Sequence, residues 1–287
     1  MLSEGWARAP PERPPETAFL MALFDVHAHL THPELLGDVD AIVERARAAG
    51  VSTIVTNGLN PADNAAVLKL SERHGCIKPA LGFYPVDTVL QRMREQGESY
   101  PDQRESWPTD VGVAWVREHV GEAFAVGEIG LDGYWVPERF WPEQDRAFCE
   151  LVRVAMQADK AVIVHTRKRE RRALELLVEL GATRVNWHCF GSRVKLAREI
   201  AEHGHYLSIP ANARRSESFT RILQTLPRER LLLETDCPYL APDREAKNEP
   251  ANVRYTAQYA AELWSTTLES VEATFAENFE RLFRVAP

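Results

Sequence analysis

The chain has 287 residues, of which 45% are hydrophobic and 26% are charged, so a large buried core is possible and extensive disorder is excluded. The formal net charge of -8 excludes a global positive field, and a polyanionic substrate would need a local basic patch or metal ions. The four cysteines form no C-x-x-C pair, and no apolar run approaches the roughly 20 residues of a membrane helix. We therefore expect a cytoplasmic protein without a membrane segment, and nothing indicates an obligate protein partner.

The first residues predict an extension rather than part of a domain. Pro10, Pro11, Pro14 and Pro15 are incompatible with a regular helix. The segment also lacks the basic start and apolar stretch of a secretory signal. We predict a flexible, Pro-rich extension over residues 1–21 and one barrel domain over residues 22–287.

From residue 22 onward, apolar segments rich in β-formers alternate with amphipathic helical stretches. Such alternation predicts a parallel sheet covered by helices. Eight repeats fit a closed (β/α)₈ TIM barrel, with an extra C-terminal helix, better than a doubly wound sheet. The predicted strands are Leu23–Leu30, Ser52–Gly58, Ile77–Phe83, Ala123–Leu131, Ala161–Arg167, Arg184–Phe190, His205–Ile209 and Arg230–Asp236.

A polar, proline-containing segment occupies residues 91–110, after the third predicted strand. Its position predicts that it lies over the top face of the barrel. The sequence leaves two interpretations open: a lid or substrate-gripping loop, and a solvated insertion.

Histidines and carboxylates occur at the ends of five predicted strands, where barrel enzymes carry their function. These residues are His27, His29, Glu128, His165, His188 and Asp236. The two histidines of the first strand are two residues apart, so they can face the same way and hold one ion. Imidazole and carboxylate ligands suit zinc, manganese and similar divalent ions.

Glu128 lies inside the apolar segment VGEIGLD, where an unpartnered charge would be costly. Either a bridging position between two cations or an ion pair with Arg167 would remove that cost. Cys189 and Cys237 adjoin candidate ligands, but strand alternation turns them away, and we exclude them.

Seven segments occur in order over about residues 22–284: FDVHAHL, VGEIGLD, FCELVRVAMQADKAVIVHTR, HCFGS, LLLETDCPYLAP, KNEP and NFERLF. Together they resemble the TatD family of metal-dependent deoxyribonucleases, within the amidohydrolase-like barrels. The resemblance implies a hydrolase with two divalent ions (zinc, manganese or magnesium) that trims single-stranded DNA from its 3′ end.

The resemblance also implies individual roles. His27, His29 and Asp236 would hold one ion, and Glu128 would bridge to a second ion held by His165 and His188. Glu128 and Asp236 would be the catalytic residues, with Asp236 taking the proton of the attacking water.

Three further residues are expected at the substrate. Arg167 would contact a phosphate, and Asn248 of the KNEP segment would shape the rim. The family's G-x-H-P-H stretch is Gly82-Phe83-Tyr84-Pro85-Val86 here, so both histidines are missing. Because this stretch borders the substrate, Tyr84 is expected to contact it, and the specificity stays open.

The sequence leaves other functions open. The loss of those histidines favours a metal-dependent hydrolase of a carbonyl substrate: a lactone, amide, ester or aminoacyl-tRNA. A deaminase is disfavoured, because a bridging Glu128 suits two ions better than one. A non-catalytic scaffold would have to keep the whole ligand set without activity.

Two sequence features after the fourth and fifth strands each allow two interpretations. The basic run that starts at Arg167 could line a path for a nucleic-acid backbone, although a solvated helix start is favoured from Lys168 onward. Trp135 and Trp141 could stack on bases or pack between helix and sheet.

Overall fold

The computed structural model describes residues 22–244 and 247–285, so the predicted extension over residues 1–21 lies outside the described residues. Eight strands form one parallel sheet in which each strand pairs with the next along the chain. The strands β1 to β8 are Leu23–Ala28, Val51–Asn57, Ile77–Leu81, Ala125–Asp132, Ala161–Arg167, Val185–Trp187, Tyr206–Ile209 and Leu231–Leu233.

Helices separate the strands and cover the outside of the sheet. In chain order, α1 to α11 are Pro33–Leu36, Val39–Ala48, Pro61–Arg73, Asp87–Glu95, Thr109–His119, Trp141–Gln157, Glu170–Leu180, Val194–Glu202, Glu217–Thr225, Val253–Trp264 and Leu268–Phe283. The predicted (β/α)₈ barrel and its extra C-terminal helix are confirmed. Among the described residues, no helix has both the length and the apolar character that a membrane span needs.

Backbone hydrogen bonds join the two ends of the sheet. The His29 amide donates to the Cys237 carbonyl and the Asp236 amide donates to the His27 carbonyl, each at 2.9 Å. Residues that follow β8 therefore lie beside the end of β1. This seam closes the barrel at the mouth where the candidate ligands lie.

The helix α11 covers the opposite end of the barrel. Phe279 stacks on Phe24 with ring centroids 4.1 Å apart, and Phe283 stacks on Phe124 at 4.9 Å. Phe24 is the second residue of β1 and Phe124 directly precedes β4. Because this end is filled with apolar side chains, the open mouth of the barrel is at the carboxyl ends of the strands.

Five strands end earlier than the sequence predicts, namely β1, β2, β3, β6 and β8, and the difference is largest at β6 and β8. The predictions for β6 and β8 extend to Phe190 and Asp236, whereas the strands end at Trp187 and Leu233. Cys189 and Asp236 adopt positive φ angles of 47° and 55°. Such left-handed backbone cannot continue a strand, so the prediction of both boundaries was wrong.

The buried His205, directly before β7, makes folding sensitive to mild acid. Its Nδ1 accepts from Trp187 Nε1 at 3.1 Å, so its Nε2–H donates to the Ala182 carbonyl at 2.8 Å. Burial lowers the pKa of His205 from 6.5 to about 4. The folded state therefore binds fewer protons than the unfolded state between these values, and stability falls as pH falls through this range.

We predict that His205 accounts for a loss of up to about 3 kcal/mol in unfolding free energy between pH 6.5 and 4. The variant His205→Asn should be less stable at pH 7 but should show a flatter dependence, measured by urea unfolding across this range. Glu202→Gln, at an exposed neighbouring position, is the control and should keep the wild-type slope. Equal slopes for wild type and His205→Asn would contradict the prediction.

Candidate metal centre

Four of the predicted ligands converge where the barrel closes. The Nε2 atoms of His27 and His29 are 3.1 Å apart. They lie 3.5 and 3.4 Å from Glu128 Oε2, and 3.7 and 3.5 Å from Asp236 Oδ1. All four residues are buried, so these atoms face one another across a small protected space.

The other two ligands face the second oxygen of the same carboxylate. Glu128 Oε1 lies 2.9 Å from His165 Nδ1 and 3.2 Å from His188 Nε2. The two histidine nitrogens are 3.4 Å apart. Glu128 thus presents one oxygen to each pair of histidines, as a bridging ligand would.

The spacing of these atoms fits divalent ions. Ligand atoms about 2.0–2.1 Å from a tetrahedral ion are roughly 3.3 Å from one another, and both groups have this spacing. Burial would lower the pKa of His29, but the hydrogen bond with Asp236 and the charge of Glu128 outweigh it and raise the pKa, so without a cation these carboxylates favour a protonated ring. His29 Nδ1 lies 3.1 Å from the Asn57 carbonyl and must donate to it. In a neutral ring Nε2 is then a lone pair facing carboxylates, an arrangement that a cation stabilises.

Two carboxylates lie behind the histidines of the second group, and one of them, Asp132, is within hydrogen-bond distance of its histidine. Asp132 Oδ2 lies 3.3 Å from His165 Nε2, while its Oδ1 accepts from two backbone amides, of Tyr134 and Trp135. Glu234 accepts from the Cys189 amide at 2.7 Å and lies 3.8 Å from His188 Nδ1. Outer carboxylates of this kind fix the orientation and basicity of ligating imidazoles.

Asp25 braces the seam beside the first group. Its buried carboxylate accepts from the Thr235 amide at 2.9 Å, the Thr235 hydroxyl at 2.5 Å and the His27 amide at 3.2 Å. Burial raises the pKa of Asp25 to about 8, although these hydrogen bonds oppose the rise. Asp25, Asp132 and Glu234 were not among the functional residues predicted from the sequence. The sequence feature that could have identified them is that each lies in a segment with a candidate ligand: FDVHAHL, VGEIGLD or LLLETD.

The two candidate catalytic carboxylates are held in the ionised form. Burial alone would raise the pKa of Glu128, but the neighbouring histidines His188, His165 and His27 outweigh it and hold the pKa well below the usual range. The pKa of Asp236 is also lowered, because His29 and the other imidazoles outweigh burial. Both groups can therefore act as anionic ligands at neutral pH.

A cavity of about 770 Å³ opens above the ligands. Tyr84 and Arg167 line it, as expected for substrate contacts, and three residues of the 91–110 segment line it too: Tyr100, Asp102 and Arg104. The alternative interpretation of Glu128, an ion pair with Arg167, is not supported, because the guanidinium instead lies 3.6 Å from the ring centroid of Tyr134.

Asn248 lies behind the described lining of the cavity, and its contact with substrate stays a prediction. Its side chain is fully buried and is absent from the described lining of the cavity. Its amide donates to the carbonyls of Thr235 and Tyr239 and its oxygen accepts from Asn252. Asn248 thus holds the loop after β8 in place.

A barrel whose open mouth carries four histidines and two carboxylates has the features of a metal-dependent hydrolase. Comparison with known families agrees with this class. The model of the TatD related DNase family matches residues 24–284. The chain therefore belongs to the TatD family.

Individual relatives match over almost their whole length. Human deoxyribonuclease TATDN3 is 31% identical, over 92% of this chain and 95% of its own length. The 3′-5′ ssDNA/RNA exonuclease TatD of Citrobacter koseri is 30% identical, over 92% of this chain and 100% of its own. The crystal structure of the TatD homologue YJJV from Escherichia coli superposes with a TM-score of 0.79 at 24% identity, covering 94% of this chain and 100% of that one.

The role assigned to Asp132 can be tested by metal binding. In Asp132→Asn the remaining amide oxygen can still accept from the backbone amides, but the negative charge behind His165 is lost. We expect metal affinity to fall by about 10- to 100-fold, measured by competition with a chromophoric chelator. Asp110→Asn, whose side chain is 82% exposed, is the matched control. Unchanged affinity in Asp132→Asn would show that the carboxylate does not support the site.

Proposed function

We propose that the protein is a divalent-metal-dependent 3′-5′ exonuclease that hydrolyses phosphodiester bonds at the end of single-stranded DNA. The observation that carries the proposal is that each carboxylate oxygen of Glu128 faces a different pair of histidines. This arrangement suits two ions of zinc, manganese or magnesium. Membership of a DNase family and the similarity to a protein named as a single-strand exonuclease support the substrate class.

The cluster of His27, His29 and Glu128 and the cluster of Glu128, His165 and His188 would each hold one ion, with Glu128 shared. Asp236 would complete the first site, because its Oδ1 lies 3.7 and 3.5 Å from the Nε2 atoms of His27 and His29. Bound there, divalent ions would lower the pKa of water toward about 7 and offset charge on the phosphate oxygens. The chain's own residues do the rest. Asp236 turns Oδ1 to the histidines, and its carboxylate takes the proton of the attacking water.

Two residues would place the scissile phosphate. Arg167 lines the cavity beside the second group, and its planar guanidinium can donate to two phosphate oxygens. Tyr84 lies against the ligand His165, with ring centroids 5.0 Å apart. Its hydroxyl replaces the family's first histidine as a donor at the border of the substrate.

The size of the cavity favours attack at a chain end. Its volume of about 770 Å³ lies within the ~300–1,000 Å³ of small-molecule sites. Such a space accommodates the terminal nucleotides of a single strand better than the middle of a duplex. This is the reason to propose an exonuclease rather than an endonuclease.

Replacing the proposed base tests the activity. We expect Asp236→Asn to lower kcat on a labelled single-stranded oligonucleotide by about 10² to 10⁴-fold, while thermal unfolding stays cooperative. The control is Asp40→Asn, at a side chain that is 72% exposed. Full activity of Asp236→Asn, or of metal-free protein, contradicts the mechanism. An enzyme that cleaves generic esters but neither DNA nor RNA would support the carbonyl alternative.

The salt dependence of DNA binding isolates the contribution of Arg167 to the affinity. Each cation that contacts the backbone of a single strand adds about -0.7 to the slope of log affinity against log salt. We therefore expect Arg167→Gln to reduce the magnitude of this slope by about 0.7 in anisotropy titrations. Arg47→Gln, at an exposed residue paired with Glu44, should leave the slope unchanged. An unaltered slope in Arg167→Gln would exclude the phosphate contact.

A further inference from the structure

A chain of aromatic and cationic side chains runs along one wall of the cavity. The Arg104 guanidinium lies 5.7 Å from the ring centroid of Tyr100, and the rings of Tyr100 and Trp135 are 5.5 Å apart. Trp135 is followed by Tyr134 at 4.8 Å, and the Arg167 guanidinium lies 3.6 Å from the Tyr134 ring. The wall thus connects the 91–110 segment with the end of β5.

The 91–110 segment is fixed in this position. Arg104 Nη1 donates to the fully buried Asp87 at 3.1 Å, and its Nε donates to Asp102 at 2.6 Å. Asp87 begins α4, so the ion pair ties the loop to a helix of the barrel. The ion pair thus fixes the segment that carries Tyr100, whose side chain lines the cavity.

Positive charge is available at only one end of this wall. Asp87 and Asp102 offset the charge of Arg104. Within the described residues, no carboxylate lies within 4.0 Å of the cationic groups of Arg167 or Lys168. The later arginines of the basic run form ion pairs: Arg169 and Arg172 with Asp145, and Arg171 with Glu199.

The two tryptophans near this wall differ in their contacts. Trp135 lines the cavity, whereas Trp141 donates its indole N–H to the Val136 carbonyl at 2.9 Å and packs under Arg169. Of the two tryptophans that the sequence offered for base stacking, only Trp135 is placed to contact substrate.

We propose that Tyr100 and Trp135 form a base-stacking subsite for single-stranded nucleic acid, with the backbone leaving the cavity past Arg167 and Lys168. Stacking platforms beside a cationic path are how proteins bind single strands without reading sequence. This subsite rests on the proposed nuclease function and deepens it, because it assigns the 91–110 segment to substrate binding.

Binding of two probes tests the subsite. Both are fluorescein-labelled six-nucleotide DNAs with hydrolysis-resistant phosphorothioate links; one carries all bases, and the other has abasic residues at its last two 3′ positions. With manganese-loaded enzyme, we expect Tyr100→Leu to raise Kd for the intact probe by about 5- to 150-fold. Tyr100→Phe, which keeps the ring, should stay within about twofold of wild type.

The abasic probe and a remote variant provide the controls. Tyr100→Leu should bind the abasic probe as wild type does, and Tyr255→Leu, at a residue that is 56% exposed on α10, should change neither Kd. The subsite is overturned if wild type binds the two probes equally, if it binds neither, or if Tyr100→Leu leaves Kd for the intact probe unchanged.

Hydrolysis of an unmodified oligonucleotide, measured in parallel, separates this inference from the proposed function. Ring-dependent binding without any hydrolysis would refute the nuclease and leave the subsite standing. Hydrolysis with a KM that Tyr100→Leu does not change would support the nuclease and refute the subsite.

Discussion

The geometry of the candidate metal site depends on one buried carboxylate that faces two pairs of imidazoles. Glu128 is 3% exposed, and an isolated charge at that depth would be strongly unfavourable. It is tolerable because four histidine nitrogens surround its two oxygens. Those nitrogens come from the carboxyl ends of β1, β5 and β6 or from the residues directly after them, so the site exists only if the barrel closes. The seam that closes it, through the His29 and Asp236 amides, also positions Asp236 beside the first pair.

Close backbone approach holds Glu128 where these contacts require it. A Cβ on Gly82 would lie 2.3 Å from the Glu128 nitrogen, and one on Gly130 would lie 1.9 Å from the His165 carbonyl oxygen. Only glycine permits such contact between neighbouring strands. The G-x-H-P-H stretch has thus lost its two histidines but kept the glycine that packs against Glu128. The chain differs from the family pattern beside the cavity and keeps the glycine on which the ligand geometry depends.

The sequence predicted what local periodicity determines and missed what distant contacts determine. Alternation and apolar runs identified eight strands, and residue spacing placed His27 and His29 side by side. The ends of β6 and β8 were missed because Cys189 and Asp236 leave the extended region, which an apolar run does not reveal. The hydrogen bonds of Asn248 with the carbonyls of Thr235 and Tyr239 could not be predicted, because they form only when the loop after β8 is folded. The fixed 91–110 segment depends likewise on the contact of Arg104 with Asp87.

An acidic chain with a nucleic-acid substrate must obtain its affinity from something other than a broad positive surface. Along the proposed track, Arg167 and Lys168 are the described cations without a carboxylate within 4.0 Å. If both contact phosphates, counterion release supplies a salt slope of only about -1.4. Most of the binding free energy must then come from the bound ions and from stacking, which every base can provide. Such a balance holds a chain end at the metal centre without retaining long stretches of polymer, which suits stepwise removal of terminal nucleotides.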